Sequence, residues 1–131
     1  MGITRILITA AIGVMLNAPI YARSKGIVTH ATITVYHPVK SQTDDSPTVT
    51  ADGSHIDMRK LKSGKIRWCA VSRDLLWLFP KGKPKRVLIE GWGIYEVRDT
   101  MNARHTHRVD ILLHPSDKRR TNEYLKVIIL Q

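Results

Sequence analysis

Between Val87 and Leu113 the sequence contains two short runs in which apolar and polar residues alternate. The runs are Ile94–Arg98 and Arg108–Leu112, and alternation with a period of two predicts strands that bury one face. A strand of this kind must cover its apolar face with other parts of the chain. The stretch therefore indicates a fold built from short, half-buried strands.

An aspartate lies at the inner end of each run. Asp99 closes the first run and Asp110 lies inside the second, so the loop Thr100–His107 can bring both acids into one cleft. Two carboxylates in a partly dry cleft do not both ionise readily, so one retains its proton near neutral pH while the other stays anionic. The pattern predicts an acid-catalytic pair. The alternative is that each aspartate caps a turn or pairs with Arg98 or Arg108.

Residues 1–22 are typical of a cleavable export signal. Arg5 precedes the apolar run Ile6–Leu16, and Ala22 is a small residue suited to cleavage. The apolar run is shorter than the roughly 20 residues that a bilayer-spanning helix needs. We therefore expect an exported protein, periplasmic or secreted, without stable membrane insertion once the signal is removed. Residues 23–131 are enough for one domain, which we expect to be monomeric.

The formal net charge of +10 at pH 7 constrains the binding partner. Such a surplus attracts polyanions, which include nucleic acid, acidic lipid and anionic cell-wall polymers. Export argues against nucleic acid, and so does the scattering of the basic residues along the chain without interleaved aromatic residues. Acidic lipid and an anionic cell-wall polymer then remain as candidate partners.

The rest of the chain predicts more short strands and one or two single helical turns. Glycine and proline separate these segments, and this combination is typical of an all-β fold and a small closed barrel. We expect Cys69 to be a buried thiol and Trp68 and Trp77 to lie in the core. The predicted segments are the strand Val28–Tyr36, the long loop His37–Ser54, a helical turn in Ile56–Lys62, the strand Ile66–Ser72, a helical turn Leu75–Phe79 with Asp74 as N-cap, and the strands Arg86–Glu90, Arg108–Leu113 and Glu123–Leu130.

Five motifs in this order carry a resemblance to a known family. They are Ala31-Thr-Ile-Thr-Val-Tyr36, Thr50-Ala-Asp-Gly53, Ala70-Val-Ser72, Val87-Leu-Ile-Glu-Gly-Trp-Gly-Ile-Tyr-Glu-Val-Arg-Asp-Thr100 and Arg108-Val-Asp-Ile111. The order is similar to the exported three-aspartate domain of the double-psi β-barrel proteins. That group includes membrane-bound lytic transglycosylase A and the rare lipoprotein A proteins. The resemblance covers roughly residues 28 to 130.

The resemblance implies a six-stranded double-psi β-barrel, with one or two short helices, whose groove binds peptidoglycan glycan strands. It implies lytic transglycosylase activity without a cofactor, in which Asp110 is the catalytic acid and Asp99 its companion. Thr50 matches a threonine beside the groove, and Tyr36 matches the aromatic residue that ends the first strand. The other residues expected to bind substrate or to support the acids are Ser72, Thr100, Asn102 and Arg108.

The chain departs from the family pattern at two places. Ser72 stands where the family has its first aspartate, with Asp74 two residues on, and Met101 and Asn102 replace two glycines. Two alternatives therefore stay open. The same barrel without chemistry would be a wall-binding module, with Trp92 or Tyr95 stacking on sugars, and His105 and His107 beside the acids could ligate zinc.

Overall fold

The computed structural model describes residues 26–39, 42–43 and 46–131. The predicted export signal, residues 1–22, lies outside the described residues. Helices long and apolar enough to cross a membrane do not occur in these segments. The strands and the two short helices are β1 (Gly26–Tyr36), α1 (Met58–Ser63), β2 (Trp68–Val71), a 3₁₀ helix (Arg73–Leu78), β3 (Arg86–Ile89), β4 (Gly93–Thr100), β5 (Arg108–Leu112) and β6 (Tyr124–Leu130).

The six strands form a closed barrel in the order β1-β5-β2-β4-β3-β6. The pairs β1/β5 and β2/β4 are parallel, and the other neighbouring pairs are antiparallel. The connection from β1 to β2 passes β5, and the connection from β4 to β5 passes β2. Closure satisfies the backbone groups that an open sheet would expose at its edges. The sequence-based expectation of an all-β, six-stranded barrel is confirmed.

Alternation along the strands separates a barrel interior from an outer face. Ile33, Val109 and Ile111 are fully buried in the interior. Thr34 and Asp110, which alternate with them, therefore point to the outer face. Each fully buried aliphatic side chain stabilises the barrel by about 1.5–3 kcal/mol relative to exposure. The other fully buried interior residues are Ala31, Val71, Val87, Ile89, Val127 and Ile129.

A β-bulge interrupts the pairing of β2 with β4. Cys69 pairs with Val97, but Ala70 pairs with Asp99, so Arg98 is an extra residue in β4. Bulges of this kind change the direction of the side chains that follow them. Without it, Asp99 would share the face of Val97, which packs against the core. The bulge instead places Asp99 on the outer face beside Ala70.

Helix α1 covers part of that outer face. Asp57 accepts hydrogen bonds from the backbone N–H groups of Arg59 and Lys60, so it caps the helix N-terminus. Gly64, with φ of 82°, ends the helix in a left-handed conformation that glycine adopts without strain. The helix contributes Leu61 and Met58 to an apolar cluster outside the barrel. Its other members are Tyr36, Ile56, Ile66, Trp68 and Leu112.

Three sequence-based expectations are corrected. β4 continues through Thr100, so Asp99 lies within the strand instead of closing it. Ser72 occupies the N-cap position of the 3₁₀ helix, and Asp74 lies in its first turn. Trp77 was expected in the core but is 89% exposed. A 3₁₀ helix has three residues per turn, so Leu75 and Leu78 share the face towards the barrel and Trp77 lies off it.

Replacing Ile129 by alanine tests the barrel interior. We expect Ile129→Ala to lower the free energy of unfolding by about 2–5 kcal/mol, because it removes buried methylene groups and leaves a cavity. Chemical denaturation measures the change. Val28→Ala on β1, where the side chain is 59% exposed, is the control and should change stability by less than about 0.5 kcal/mol. Equal losses in the two variants would contradict the interior position of Ile129.

Candidate active site

The two predicted acids lie in one row of residues that crosses four strands. In the register of the barrel, Thr34 on β1 is opposite Asp110 on β5, Asp110 is opposite Ala70 on β2, and Ala70 is opposite Asp99 on β4. Neighbouring strands are about 4.8 Å apart, which puts the Cα atoms of the two aspartates roughly 10 Å apart. The methyl group of Ala70 is the only side chain between them in the row. The space above it is therefore open to a ligand.

A groove of about 630 Å³ lies over this row. Its walls come from the loop between β1 and α1 on one side and from the segment after β4 on the other. Six of the eight residues that the sequence indicated line this groove together: Tyr36, Thr50, Asp99, Thr100, Asn102 and Asp110. We call it the acid groove.

Asp110 is the carboxylic acid of the acid groove whose pKa is raised towards neutral pH. Its pKa is raised to about 6, mainly by burial; a hydrogen bond from Thr34 and the charge of Arg108 oppose the shift, and the negative charge of Asp99 adds to it. The Thr34 hydroxyl donates to Oδ1 of Asp110 at 2.9 Å. Oδ2 is then the oxygen available to carry the acid proton. Burial is thus a larger cause of the raised pKa than the like-charge repulsion that the sequence suggested.

Asp99 ties the loop to the barrel. Its Oδ1 accepts hydrogen bonds from the backbone N–H of Ala51 and from that of Thr100, both at 2.9 Å. The first of these bonds joins residues 48 positions apart in the chain. Asp99 therefore holds one wall of the acid groove in place while its charge acts on Asp110.

A polar network behind Asp99 fixes the turn that carries Thr50. The hydroxyl of Thr50 donates to Oδ1 of Asp52 at 2.5 Å, and the same oxygen accepts the backbone N–H of Ser54. Arg98, the bulged residue, donates to Ser54 at 3.1 Å and lies 3.6 Å from Asp52. Arg98 also forms an ion pair with Glu96 at 2.9 Å. The arginine that the sequence offered as a partner for Asp99 thus supports the groove wall.

Tyr36 supplies a neutral hydroxyl to the acid groove. Burial is the main cause that raises its pKa far above the usual value, and the charges of Asp99 and Asp110 raise it further. The phenol consequently stays protonated at any physiological pH. It can donate a hydrogen bond to a ligand and accept one.

Ser72 and Arg108 do not line the acid groove. Ser72 is fully buried, and its hydroxyl accepts the backbone N–H of Arg108 at 3.0 Å. Arg108 Nη1 lies 3.1 Å from Nδ1 of His105, which does line the groove. Ser72 therefore fixes the beginning of β5, and Arg108 acts on Asp110 through its charge.

Asp74, the acid nearest the position of the family's first aspartate, contacts a strained turn. His107 has a φ of 45°, in the left-handed region that is unfavourable for residues other than glycine. Asp74 Oδ2 accepts the backbone N–H of His107 at 2.9 Å and lies 3.2 Å from its Nδ1. Asp74 thus stabilises the turn that leads into β5.

Within residues 26–39, 42–43 and 46–131, no group of three or more histidine, cysteine, aspartate or glutamate side chains is arranged to hold a metal ion. His105 contacts Arg108, whereas His107 contacts Asp74. The two histidines proposed as zinc ligands therefore have different partners. Cys69 is buried as expected, and burial raises the pKa of its thiol.

The sequence interpretation did not identify several residues that line or support the acid groove. Thr34, which hydrogen-bonds Asp110, lies two residues before Tyr36 on the same face of β1, so strand periodicity alone could have indicated it. Ala70 leaves space in the groove because its side chain is small, and Ala51 holds the groove wall through its backbone N–H. The identity of an alanine in the sequence indicates neither role. Arg73, Met101 and His105 complete the wall after β4 and β2.

The acidity of Asp110 can be measured by NMR titration of its side-chain carboxyl carbon. We expect a pKa of about 6 in the native protein, against about 3.9 for an unperturbed aspartate. Thr34→Val removes the hydrogen bond that stabilises the anion, so it should raise the pKa of Asp110 further. Thr32→Val, two residues earlier on the same face, is the control and should leave that pKa unchanged. An unperturbed value in the native protein would show that Asp110 is well hydrated.

Comparisons with known proteins neither assign nor exclude a family. No family model matches the sequence, and no curated protein matches it.

Proposed function

We propose that this protein cleaves glycan strands of bacterial peptidoglycan by lytic transglycosylation, with Asp110 as its catalytic acid. The observation that carries the proposal is a carboxyl group whose pKa is raised to about 6 beside a groove of sugar-binding size. An acid with a pKa near the working pH is both protonated often enough and acidic enough to transfer its proton. The choice of peptidoglycan as the substrate rests on the resemblance of the motifs around Asp99 and Asp110 to the three-aspartate domain.

The barrel topology supports the proposed relationship. The connection from β1 to β2 crosses over β5, and the connection from β4 to β5 crosses over β2. Each connection therefore crosses a strand that the other connection joins. We infer that these two interlocked crossings are the paired psi motifs of a double-psi barrel. Residues 1–22 would direct the chain out of the cytoplasm. The cell wall is accessible only outside it. The excess of basic residues would then attract the anionic wall.

The mechanism needs one acid that acts twice. Asp110 donates its proton to the oxygen that links N-acetylmuramic acid to N-acetylglucosamine, and the bond from this oxygen to the anomeric carbon breaks. The C6 hydroxyl oxygen of the same muramic acid attacks that carbon and forms a 1,6-anhydro ring. Its proton passes to the Asp110 carboxylate, which restores the acid. Since the sugar supplies the nucleophile, no second carboxylate has to activate water.

The other residues of the site bind the glycan, orient Asp110 and stabilise the charge that develops on the sugar ring. The negative charge of Asp99 helps to keep Asp110 protonated and favours the positive charge that develops on the sugar ring. Tyr36 and Thr50 offer hydroxyl groups, and Asn102 offers an amide, to hydrogen-bond the hydroxyl and acetamido groups of the glycan. Thr34 orients Asp110 through its Oδ1.

Removing the acid tests the proposal directly. Purified mature protein should release muropeptides with 1,6-anhydro ends from isolated sacculi, as measured by mass spectrometry. Asp110→Asn should lower the rate at least about 100-fold, because general acid catalysis contributes 10²–10⁴-fold. Asp117→Asn is the control, since this acid pairs with Arg119 at the surface outside the groove. Undiminished turnover by Asp110→Asn would exclude Asp110 as the acid.

The pH dependence gives an independent test of the same acid. The protonated form is required for the first step, so turnover should fall as the pH rises through about 6. Thr34→Val should move this fall to higher pH, because the hydrogen bond that it removes lowers the pKa of Asp110. Rates measured on sacculi between pH 4 and pH 8 check both the fall in turnover and its displacement in the Thr34→Val variant. A flat profile would show that a group other than Asp110 donates the proton.

The second candidate is a wall-binding module without chemistry. An indole that is 89% exposed and surrounded by basic residues favours it, because aromatic faces and cations bind sugars and anions without any reaction. Binding to sacculi that weakens with salt, together with an absence of anhydro ends, would identify the protein as such a module.

A further inference from the structure

Trp77 forms one wall of a second, mainly apolar hollow of about 450 Å³. The side chain is 89% exposed, and Leu76, Phe79 and Pro80 lie beside it in the same hollow. Single exposed apolar residues are common on protein surfaces, but an exposed indole at the edge of an apolar concavity is a binding feature. We call this hollow the Trp77 groove.

The Trp77 groove has a positively charged rim. Arg73, Lys81 and Lys85 line it, and Lys83 lines the hollow next to it. The sequence from residue 75 to residue 89 contains no acidic residue. Asp74, which precedes this stretch, accepts the backbone N–H of His107. A partner for this surface therefore has to present negative charge beside a flat apolar face.

The Trp77 groove is continuous with the acid groove. Arg73 lines both of them, and its Nε donates to the backbone carbonyl of Met101 at 3.2 Å, which holds it at the junction. A third hollow of about 530 Å³ makes a second connection. It shares Leu76 and Lys85 with the Trp77 groove and Asp99 with the acid groove. Such a furrow fits a linear polymer better than a compact molecule or a flat surface.

We propose that the Trp77 groove is a substrate subsite for a glycan strand that carries carboxylates. A sugar ring stacks on the indole of Trp77, and carboxylates of the peptide stems pair with Lys81, Lys85 and Arg73. The identity of the polymer rests on the proposed function, whereas the requirement for a stacked ring and negative charge rests on the groove itself. The subsite makes the protein select strands that bear peptide stems over bare glycan.

Binding should be measured in the Asp110→Asn variant, so that turnover does not remove the ligand. Cosedimentation with purified sacculi gives the affinity. Adding Trp77→Ala should weaken binding about 10-fold, because one buried aromatic contact contributes on the order of a factor of ten. Trp77→Tyr should recover part of that loss. Tyr124→Ala, at an aromatic side chain that is 65% exposed outside all three hollows, is the control and should leave binding unchanged.

The charge requirement has its own test. The double variant Lys81→Gln, Lys85→Gln should bind intact sacculi less tightly and with a weaker dependence on salt. Sacculi whose stem carboxylates have been converted to amides should bind the parent variant more weakly than untreated sacculi do. The double variant should distinguish the two preparations much less, because only Arg73 remains to pair with the carboxylates. Lys118→Gln, at a basic residue outside the three hollows, should still distinguish them.

The outcomes separate this inference from the proposed function. Binding that does not depend on Trp77, or no binding to sacculi at all, would overturn the subsite. A Trp77-dependent association with vesicles of anionic phospholipid, with sacculus binding unchanged in Trp77→Ala, would overturn it in favour of membrane docking. Trp77-dependent binding in a protein that releases no anhydro ends would refute catalysis and leave the subsite as a binding site.

Discussion

The position of β5 between β1 and β2 is the constraint on which the candidate active site depends. Val109 and Ile111 are both fully buried in the barrel interior, so Asp110 between them has to lie on the outer face. A shift of one residue in the register would turn the carboxylate into the core and two large apolar side chains outwards. The free energy of burying Val109 and Ile111 therefore holds Asp110 in place without any contact to its carboxylate.

A position on the outer face alone would not raise the pKa of Asp110, because a hydrated carboxylate ionises normally. The loop after β1 lines the same groove as Asp110, and the hydrogen bond from the N–H of Ala51 to Asp99 holds the loop in this position. Asp99 thus affects Asp110 in two ways. Its charge raises the pKa slightly, and the loop that it anchors helps to exclude water, which is the larger effect. Asp99 has this position because the bulge at Arg98 turns it outwards.

The fold and the pairing of the acids were predictable from the sequence because they depend on strand alternation. The runs around Asp99 and Asp110 lie in β4 and β5, and Tyr36 ends β1, as alternation and residue type indicated. The role of Ser72 was misjudged because a serine at the end of a strand has the same sequence surroundings whether its hydroxyl binds a ligand or, as here, accepts the backbone N–H of Arg108. Trp77 was misjudged because a tryptophan in an apolar run is usually buried, and the direction of a single 3₁₀ turn is decided by tertiary packing. The sequence does not indicate the β-bulge, because Arg98 fits the alternating pattern of an ordinary strand.

The position of Asp74 has a physical explanation that does not require a catalytic role. The chain turns sharply before β5, and a residue in the left-handed region costs of order 1–3 kcal/mol. Asp74 offsets this cost at His107, and Ser72 accepts the N–H of the next residue, Arg108. These two contacts lie on one short segment after β2 and fix the first residue of β5. The register of β5 then determines where Asp110 lies, so Ser72 and Asp74 act on the position of Asp110 through the backbone. Since lytic transglycosylation needs only one proton-transferring group, a serine at position 72 is compatible with that chemistry.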